Sequence, residues 1–380
     1  MEPFKNFISP HLVTCIAGHL ERQLSTFDRT LFEQSILNDL DGLELKARAQ
    51  LIADHLHAVL PEDHEVRYKI ILDMLHPADD INGGQQSDAE GICGWGMMPL
   101  GLVVGQHGLV AFEASLLLLK EMTIRFTSEF DVRYFLLADQ QRALDIMQGW
   151  IKDPNEHVRR LVSEGTRPRL PWAMQLPSLR ADPSPVLSLL EALRDDKEEY
   201  VRRSVANHLN DIAKDHPDLV ANIAKQWMEN ADANRSRLVR HACRSLIKQG
   251  HTGALEAFGL NPPELQLRKF SIENKQVIFG TGLNFCANII STSKKPQNLI
   301  IDYVVYFLKA NNQQSAKVFK WKKLTLDVGE SVSMKKVHPI RPITTRRYYE
   351  GTQALALRIN GKDFGFVEFE LIMTGKNDLG

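Results

Sequence analysis

Residues 153–172 read D-P-N-E-H-V-R-R-L-V-S-E-G-T-R-P-R-L-P-W, and they decide how the rest of the chain is understood. Asp153 is placed to cap a helix, with Pro154 at its first position and Glu156 at its third. Val158, Leu161 and Val162 supply one apolar face. Arg159, Arg160, Arg167 and Arg169 arrive within eleven residues, and Pro171-Trp172 closes the segment. Four guanidiniums and a large aromatic exceed what a packing helix needs.

The Val-Arg phrase at the centre of this stretch recurs. Val66-Arg67, Val132-Arg133, Val158-Arg159, Val201-Arg202 and Val239-Arg240 are all expected near helix starts. The last three lie 43 and 38 residues apart, the period of two-helix repeats of the HEAT type. Apolar segments at Pro185–Leu193 and Leu219–Met228 supply the partner helices. Helix pairs unable to bury their faces alone stack into an α-solenoid. At 100° per residue Val201, Val205, Leu209 and Ile212 form a buried stripe, which leaves Arg203, Asn207 and Asn210 on the opposite face. The repeat register puts Arg160, Glu164 and Arg167 beside them on one side and His241, Ser245 and Lys248 on the other. Such a row is expected to line a concave surface; the alternative is a solvated outer face.

Upstream, residues 11–60 carry helical spacing, and Asp63 is placed to cap a further helix over E-V-R-Y-K-I-I-L-D-M-L. Between Pro77 and Gly108 stand eight glycines and Trp95, expected to form an ordered loop packed on the neighbouring helices. Helical pattern resumes at L-V-A-F-E-A-S-L-L-L-L-K-E and runs to about Phe258. From about Asn261 the texture alternates, in runs such as L-I-I-D-Y-V-V-Y-F-L and G-F-V-E-F-E-L-I-M, with turn signals including Gly280-Thr281-Gly282 and Asn360-Gly361. Six or seven short strands over about 115 residues imply an immunoglobulin-like β-sandwich without the paired cysteines. The fold class is therefore multi-domain, α then β: a solenoid over 1–260 and a sandwich over 263–380.

Charge is distributed unevenly. Residues 1–100 hold 7 Lys+Arg against 16 Asp+Glu, residues 261–380 hold 18 against 10, and the middle balances. A basic C-terminal part and clustered central arginines suit a polyanionic partner. Basic residues gather at Lys317–Lys323 and in the loop holding Arg341, Arg346, Arg347, Tyr348 and Tyr349, placed to grip phosphate and sugar. The longest apolar run, around Leu116–Leu119, is too short for a bilayer, and the first residues lack a signal-peptide pattern. Cys15, Cys93, Cys243 and Cys286 show no metal-ligand spacing. The expectation is a cytoplasmic monomer, nucleoid-associated when bound to DNA, with no metal or cofactor.

At S-E-G-T-R-P-R-L-P-W followed by V-R-R-S-V-A-N-H-L-N-D-I the sequence resembles the AlkC/AlkD family of DNA alkylation repair glycosylases, in particular AlkC-like members with a C-terminal immunoglobulin-like domain. The resemblance implies hydrolysis of the N-glycosidic bond of cationic alkylated bases, N3-methylated cytosine or adenine. It also implies double-stranded DNA held without full extrusion of the base, unlike flipping enzymes. The tryptophan–aspartate arrangement of the AlkD branch has no match at the corresponding position. Departure of a cationic base leaves an oxocarbenium-like sugar, so a carboxylate is required. Glu156 and Glu121 are the two choices, with Glu156 also explicable as half of a capping box with Asp153. Trp172 is expected to stack on sugar or base. Arg159, Arg160, Arg167, Arg169, Arg203, Asn207, His241, Arg346 and Arg347 are the expected DNA ligands, with several of the arginines expected to form ion pairs instead. The competing reading is a non-catalytic helical-repeat module that binds DNA or protein.

Overall fold

Apolar residues at helical spacing fold the first part of the chain into successive helices. In the computed structural model, which describes residues 4–77, 86–344 and 346–373, these begin with α1 (Pro10–Gln23), α2 (Arg29–Leu40), α3 (Leu45–Val59) and α4 (His64–Asp73). Each start except that of α3 has a side-chain cap: Ser9 accepts from the Leu12 amide, Asp28 from Leu31, and Asp63 from Glu65 and Val66. These caps satisfy amides that a helix start otherwise leaves without partners.

The glycine-rich connector differs from expectation. Residues 78–85 of it lie outside the described residues, but Met97–His107 form α5, a buried helix, after a 3-10 turn at Gly94–Gly96. Its glycines serve close packing instead of turns. A Cβ on Gly101 would stand 2.2 Å from Asp131 Oδ2, and one on Gly105 would stand 2.6 Å from the Tyr134 ring. The apolar span is also longer than the run at Leu116–Leu119 implied. Gly94–Met122 has a mean hydropathy of 1.7 over its most apolar window. The chain breaks into a 3-10 turn at Gly108 before α6 (Phe112–Met122), and half of that window is buried among the other helices.

There follow α7 (Val132–Ala138), α8 (Gln140–Gln148), α9 (Glu156–Gly165), α10 (Pro177–Ala181), α11 (Ser184–Leu193), α12 (Glu199–Ile212), α13 (Pro217–Met228), α14 (Ala233–Ala242), α15 (Arg244–Gln249) and α16 (Thr252–Glu256). The start of α9 is later than the sequence implied. Asn155, not Asp153, is its cap, because the Asp153 carboxylate is taken by the Asn155 amide at 2.9 Å and by Lys120 at 2.7 Å. Glu156 is consequently the first helical residue and forms no capping box.

The recurring Val-Arg phrase has a structural cause. Val132, Val158, Val201 and Val239 are fully buried, whereas Val66 is 49% exposed because α4 turns Tyr68, Ile70 and Ile71 inward. Val239 also sits near the end of α14, not at its start. In three of these phrases the arginine after the valine folds back onto the turn preceding its own helix, whereas Arg133 donates to the Gly165 and Arg167 carbonyls, each at 2.9 Å. Arg67 donates to the Pro61 carbonyl at 2.8 Å; Arg159 to those of Asp153 and Pro154 at 2.9 and 3.0 Å; Arg202 to those of Asp196 and Lys197, the latter at 2.8 Å. Charged donors on otherwise orphaned carbonyls lock each turn to its helix.

The chain divides into two compact units. One comprises Met1–Asp215 with Ala233–Ala242; the other comprises His216–Asp232 with Cys243–Gly380. In the first, α9 lies against α12, and α12 against α14. The second holds α13, α15 and α16 as well as the strands, so compactness does not follow the change of texture between Glu256 and Leu265.

Among the described residues eight strands make two sheets: β1 (Leu265–Ile272), β2 (Gln276–Ile278), β3 (Gly282–Ser291), β4 (Gln297–Leu308), β5 (Gln314–Leu326), β6 (Ser331–Pro339), β7 (Gly351–Ile359) and β8 (Lys362–Ile372). The orders are β1-β3-β6 and β2-β8-β7-β4-β5. Sequence reading missed β1 and β6, whose inward residues alternate with lysine and serine and form no apolar run. The expected Asn360-Gly361 turn joins β7 to β8 with φ of 44° and 78°. Leu283, Phe285, Tyr303, Val305, Leu355 and Phe369 form the centre of the sandwich core.

Candidate active site and nucleic-acid interface

Three carboxylates and two guanidiniums alternate from the turn before α7, across α9 and the residues after it, to α12. Glu129, in the turn before α7, pairs with Arg160 of α9, which also reaches Thr127 Oγ1 at 2.9 Å. Arg160 approaches Glu164 at 3.4 Å, Arg167 binds Glu164 at 2.6 Å, and Arg167 Nε donates to Asp211 of α12 at 2.8 Å. Ser204 donates to the second Glu164 oxygen at 2.6 Å, and Lys214 closes the row on Asp211 at 2.9 Å. The Glu164 side chain is only 6% exposed.

Burial alone would raise the Glu164 pKa, but Arg160, Arg167 and the Ser204 hydrogen bond outweigh it and hold the carboxyl below its ordinary value. Burial likewise works against the charge on Arg160, where Glu129 and Glu164 prevail, and on Arg167, where Glu164 and Asp211 do. The centre of the row is therefore charged despite its burial. One oxygen of Glu129 accepts both Arg160 and Thr127, and its other oxygen takes no hydrogen bond among the described residues. Beneath the row, His208 Nδ1 donates to the Ser163 carbonyl at 2.9 Å. Burial depresses its pKa to about 4, which keeps the ring neutral. Tyr200 covers the outer edge, its ring 5.2 Å from the Arg160 guanidinium and edge-on to His157.

The two glutamates chosen from sequence lie outside this row. Glu121 ends α6 with a 45% exposed side chain and pairs with Arg125 one turn on. Glu156 occupies the first turn of α9, half-buried, with no hydrogen bond or ion pair among the described residues. Of the expected cluster, Arg160 and Arg167 are brought together, and Glu164 anchors both. Sequence reading groups Glu164 with Arg160 and Arg167 on one face, and the structure pairs it with both. That reading missed Glu129 and Asp211: Glu129 precedes its helix, where no periodicity frames it, and Asp211 falls beside the apolar Ile212.

The remaining arginines separate by partner. Arg159 is buried against Asp196 through two hydrogen bonds of 2.6 and 3.0 Å, and Arg169 grips Asp215 at 2.8 and 2.6 Å. Arg203 is exposed and lines a groove between α12 and α14 with Glu199, Asn234, Arg237 and His241. His241 Nε2 donates to Asn207 Oδ1 at 3.0 Å across that groove. In the other unit Arg346 stacks on the Phe307 ring at 3.9 Å, and Arg347 is exposed, 5.7 Å from Tyr349. Trp172 is 58% exposed in the loop after α9, with a left-handed φ of 66°, and Lys46 holds its carbonyl. A bulky residue at positive φ is strained and persists only where its surroundings fix it. Among the described residues no cluster of His, Cys, Asp and Glu is arranged to hold a metal.

Comparison with known proteins adds an independent line. Residues 130–246 match the model of the family described as DNA alkylation repair enzyme, and residues 266–373 match the C-terminal Ig-like domain of YhaZ. An uncharacterised protein of Bacillus subtilis, YhaZ, is 34% identical over 98% of this chain and 100% of its own length. The Pseudomonas fluorescens alkylpurine DNA glycosylase AlkC, solved bound to DNA containing an abasic site analog, is 35% identical with a TM-score of 0.82, covering 98% of this chain and 100% of that one.

Proposed function

The chain belongs to the AlkC/AlkD family of DNA alkylation repair glycosylases, and from that premise we propose that it excises N3-methylated cytosine or adenine from duplex DNA by hydrolysing the glycosidic bond. The observation that carries this reading is the salt-bridged Glu129–Arg160–Glu164–Arg167–Asp211 row. A cationic base is already a good leaving group and needs no protein acid. What the reaction needs is negative charge beside the emerging oxocarbenium sugar and an oriented water. Glu164 supplies fixed charge, and Glu129, with one oxygen pinned by Arg160 and Thr127 and the other open, orients the water. Glu121 and Glu156 carry neither role in this reading. The two fixed guanidiniums keep Glu164 ionised at neutral pH in spite of its burial.

Arg203 and Arg237 are proposed as phosphate ligands, with Arg347 a further exposed cation on the other unit. Arg159 and Arg169 leave that set because Asp196 and Asp215 occupy them, and Arg346 leaves it because it stacks on Phe307. Asn207 and His241 stay at the groove edge. Trp172 remains in this reading as a stacking residue.

The test is release of free 3-methyladenine and 3-methylcytosine from methylated duplex DNA, measured by chromatography. Time-dependent release by the purified chain is expected. DNA binding without release would leave the non-catalytic binding module in its place.

A further inference from the structure

A cavity of about 200 Å³ is lined by Trp95, Phe130, Tyr134 and Trp172 together with Asp131, and Phe130 and Asp131 follow Glu129 of the salt-bridged row in the same turn. The rings extend outward as a ladder: Trp95 stacks on Phe7 at 5.6 Å, and Phe4 meets Trp95 at 5.8 Å and Trp172 at 6.2 Å. Phe4 and Phe7 are both exposed. Asp131 is buried and pairs with no cation among the described residues; Lys46, which also lines the cavity, donates to the Trp172 carbonyl. Gln50, also on the lining, is held by Gln106 at 2.7 Å. The Asp131 carboxyl packs against the Gly101 backbone of α5, in the space a Cβ there would fill.

Resting on the glycosylase reading above, we infer that this cavity is a product site that holds the methylated base once it has left the sugar. Aromatic walls select a planar heterocycle. Cleavage leaves the electron pair of the broken C–N bond on the base, which departs neutral and newly basic. The Asp131 carboxyl, which burial and Glu129 hold well above the usual carboxylate range, lines the cavity as the group that shares a proton with the ring nitrogen. No charge is created in the cavity, since the neutral acid–base pair and the ionised pair have the same net charge. A protein that holds its product this way is inhibited by it.

The experiment is calorimetric titration of the full chain with free 3-methyladenine and with adenine, repeated on the isosteric variant Asp131→Asn and on Trp172→Ala. The expected result is at least tenfold tighter binding of 3-methyladenine than of adenine, a preference erased in Asp131→Asn, and roughly tenfold weaker binding of both ligands in Trp172→Ala. Equal affinity for the two bases, or an unchanged preference in Asp131→Asn, overturns the product site. Base release from methylated DNA is measured in parallel. Release without selective binding sinks this inference alone, and selective binding without release sinks the glycosylase reading while the base site stands.

Discussion

His208 shows how a single residue in the site couples to stability. Its pKa is about 4 in the folded chain against 6.5 when unfolded, because the ring is buried with Nε2 unpartnered. Between those values the unfolded chain binds a proton that the folded chain refuses, so stability is full above pH 6.5 and falls as pH drops toward 4. The loss approaches roughly 3 kcal/mol, at about 1.4 kcal/mol per pH unit. In denaturant titrations at about pH 7 and about pH 4.5, either side of most of that window, wild type is expected to lose more stability than His208→Gln; parallel losses would mean that the ring is not the cause. His338, also depressed to about 4 by burial, contributes with the same sign in both proteins and cancels in the comparison. At this scale the site was half legible. Arg160 and Glu164 share a helix whose period was evident and Arg167 follows its end, whereas Glu129 and Asp131 sit in T-S-E-F-D, a turn whose only signal is composition.

Among the elements, the adjacent arginines of α12 separate two roles that the sequence presents alike. Arg202 points back to the carbonyls before its helix, and Arg203 points out. Arg202→Ala is expected to lower unfolding free energy by about 2 kcal/mol, since it strands two partly buried carbonyls. Arg203→Ala is expected to leave stability within about 0.5 kcal/mol and to weaken DNA binding at all sequences alike. Equal destabilisation by both would contradict the division. Repeat periodicity made the helices legible, because burial imposes it. Of the arginines that follow these valines, Arg159 was expected as a DNA ligand and instead binds its own turn and Asp196, since an arginine that binds its own turn and one that binds phosphate leave the same trace. Glycine misled in the same way at α5: close helix packing and turns both demand it, and only the packing partners Asp131 and Tyr134 distinguish the two.

For the whole molecule, the acidic first hundred residues and the basic strands were read correctly as a charge asymmetry, and the helix-to-strand transition fell where texture changed. The grouping of α13, α15 and α16 with the sandwich was not legible, because tertiary packing between distant segments leaves no local pattern. Lys320, Lys322 and Lys323 stand exposed on β5, an edge strand where a bulge opposite Ile301 and Asp302 turns Trp321 toward the core. Lysines on an edge strand deter sheet-to-sheet association and also suit a polyanion. If they bind phosphate, replacing all three with Gln reduces the slope of log affinity against log salt by about 0.9 for each phosphate no longer neutralised. An unchanged slope assigns them to edge protection.

The buried row, and not the glutamates at the end of α6 and the start of α9, is proposed to perform the cleavage. Single-turnover release of 3-methyladenine from methylated duplex DNA, with thermal melts to verify folding, compares wild type with Glu129→Gln, Glu121→Gln and Glu156→Gln. A fall of roughly 100-fold or more is expected for Glu129→Gln, with near-wild-type rates for the other two. Wild-type release by Glu129→Gln, with loss in Glu121→Gln or Glu156→Gln, would contradict it.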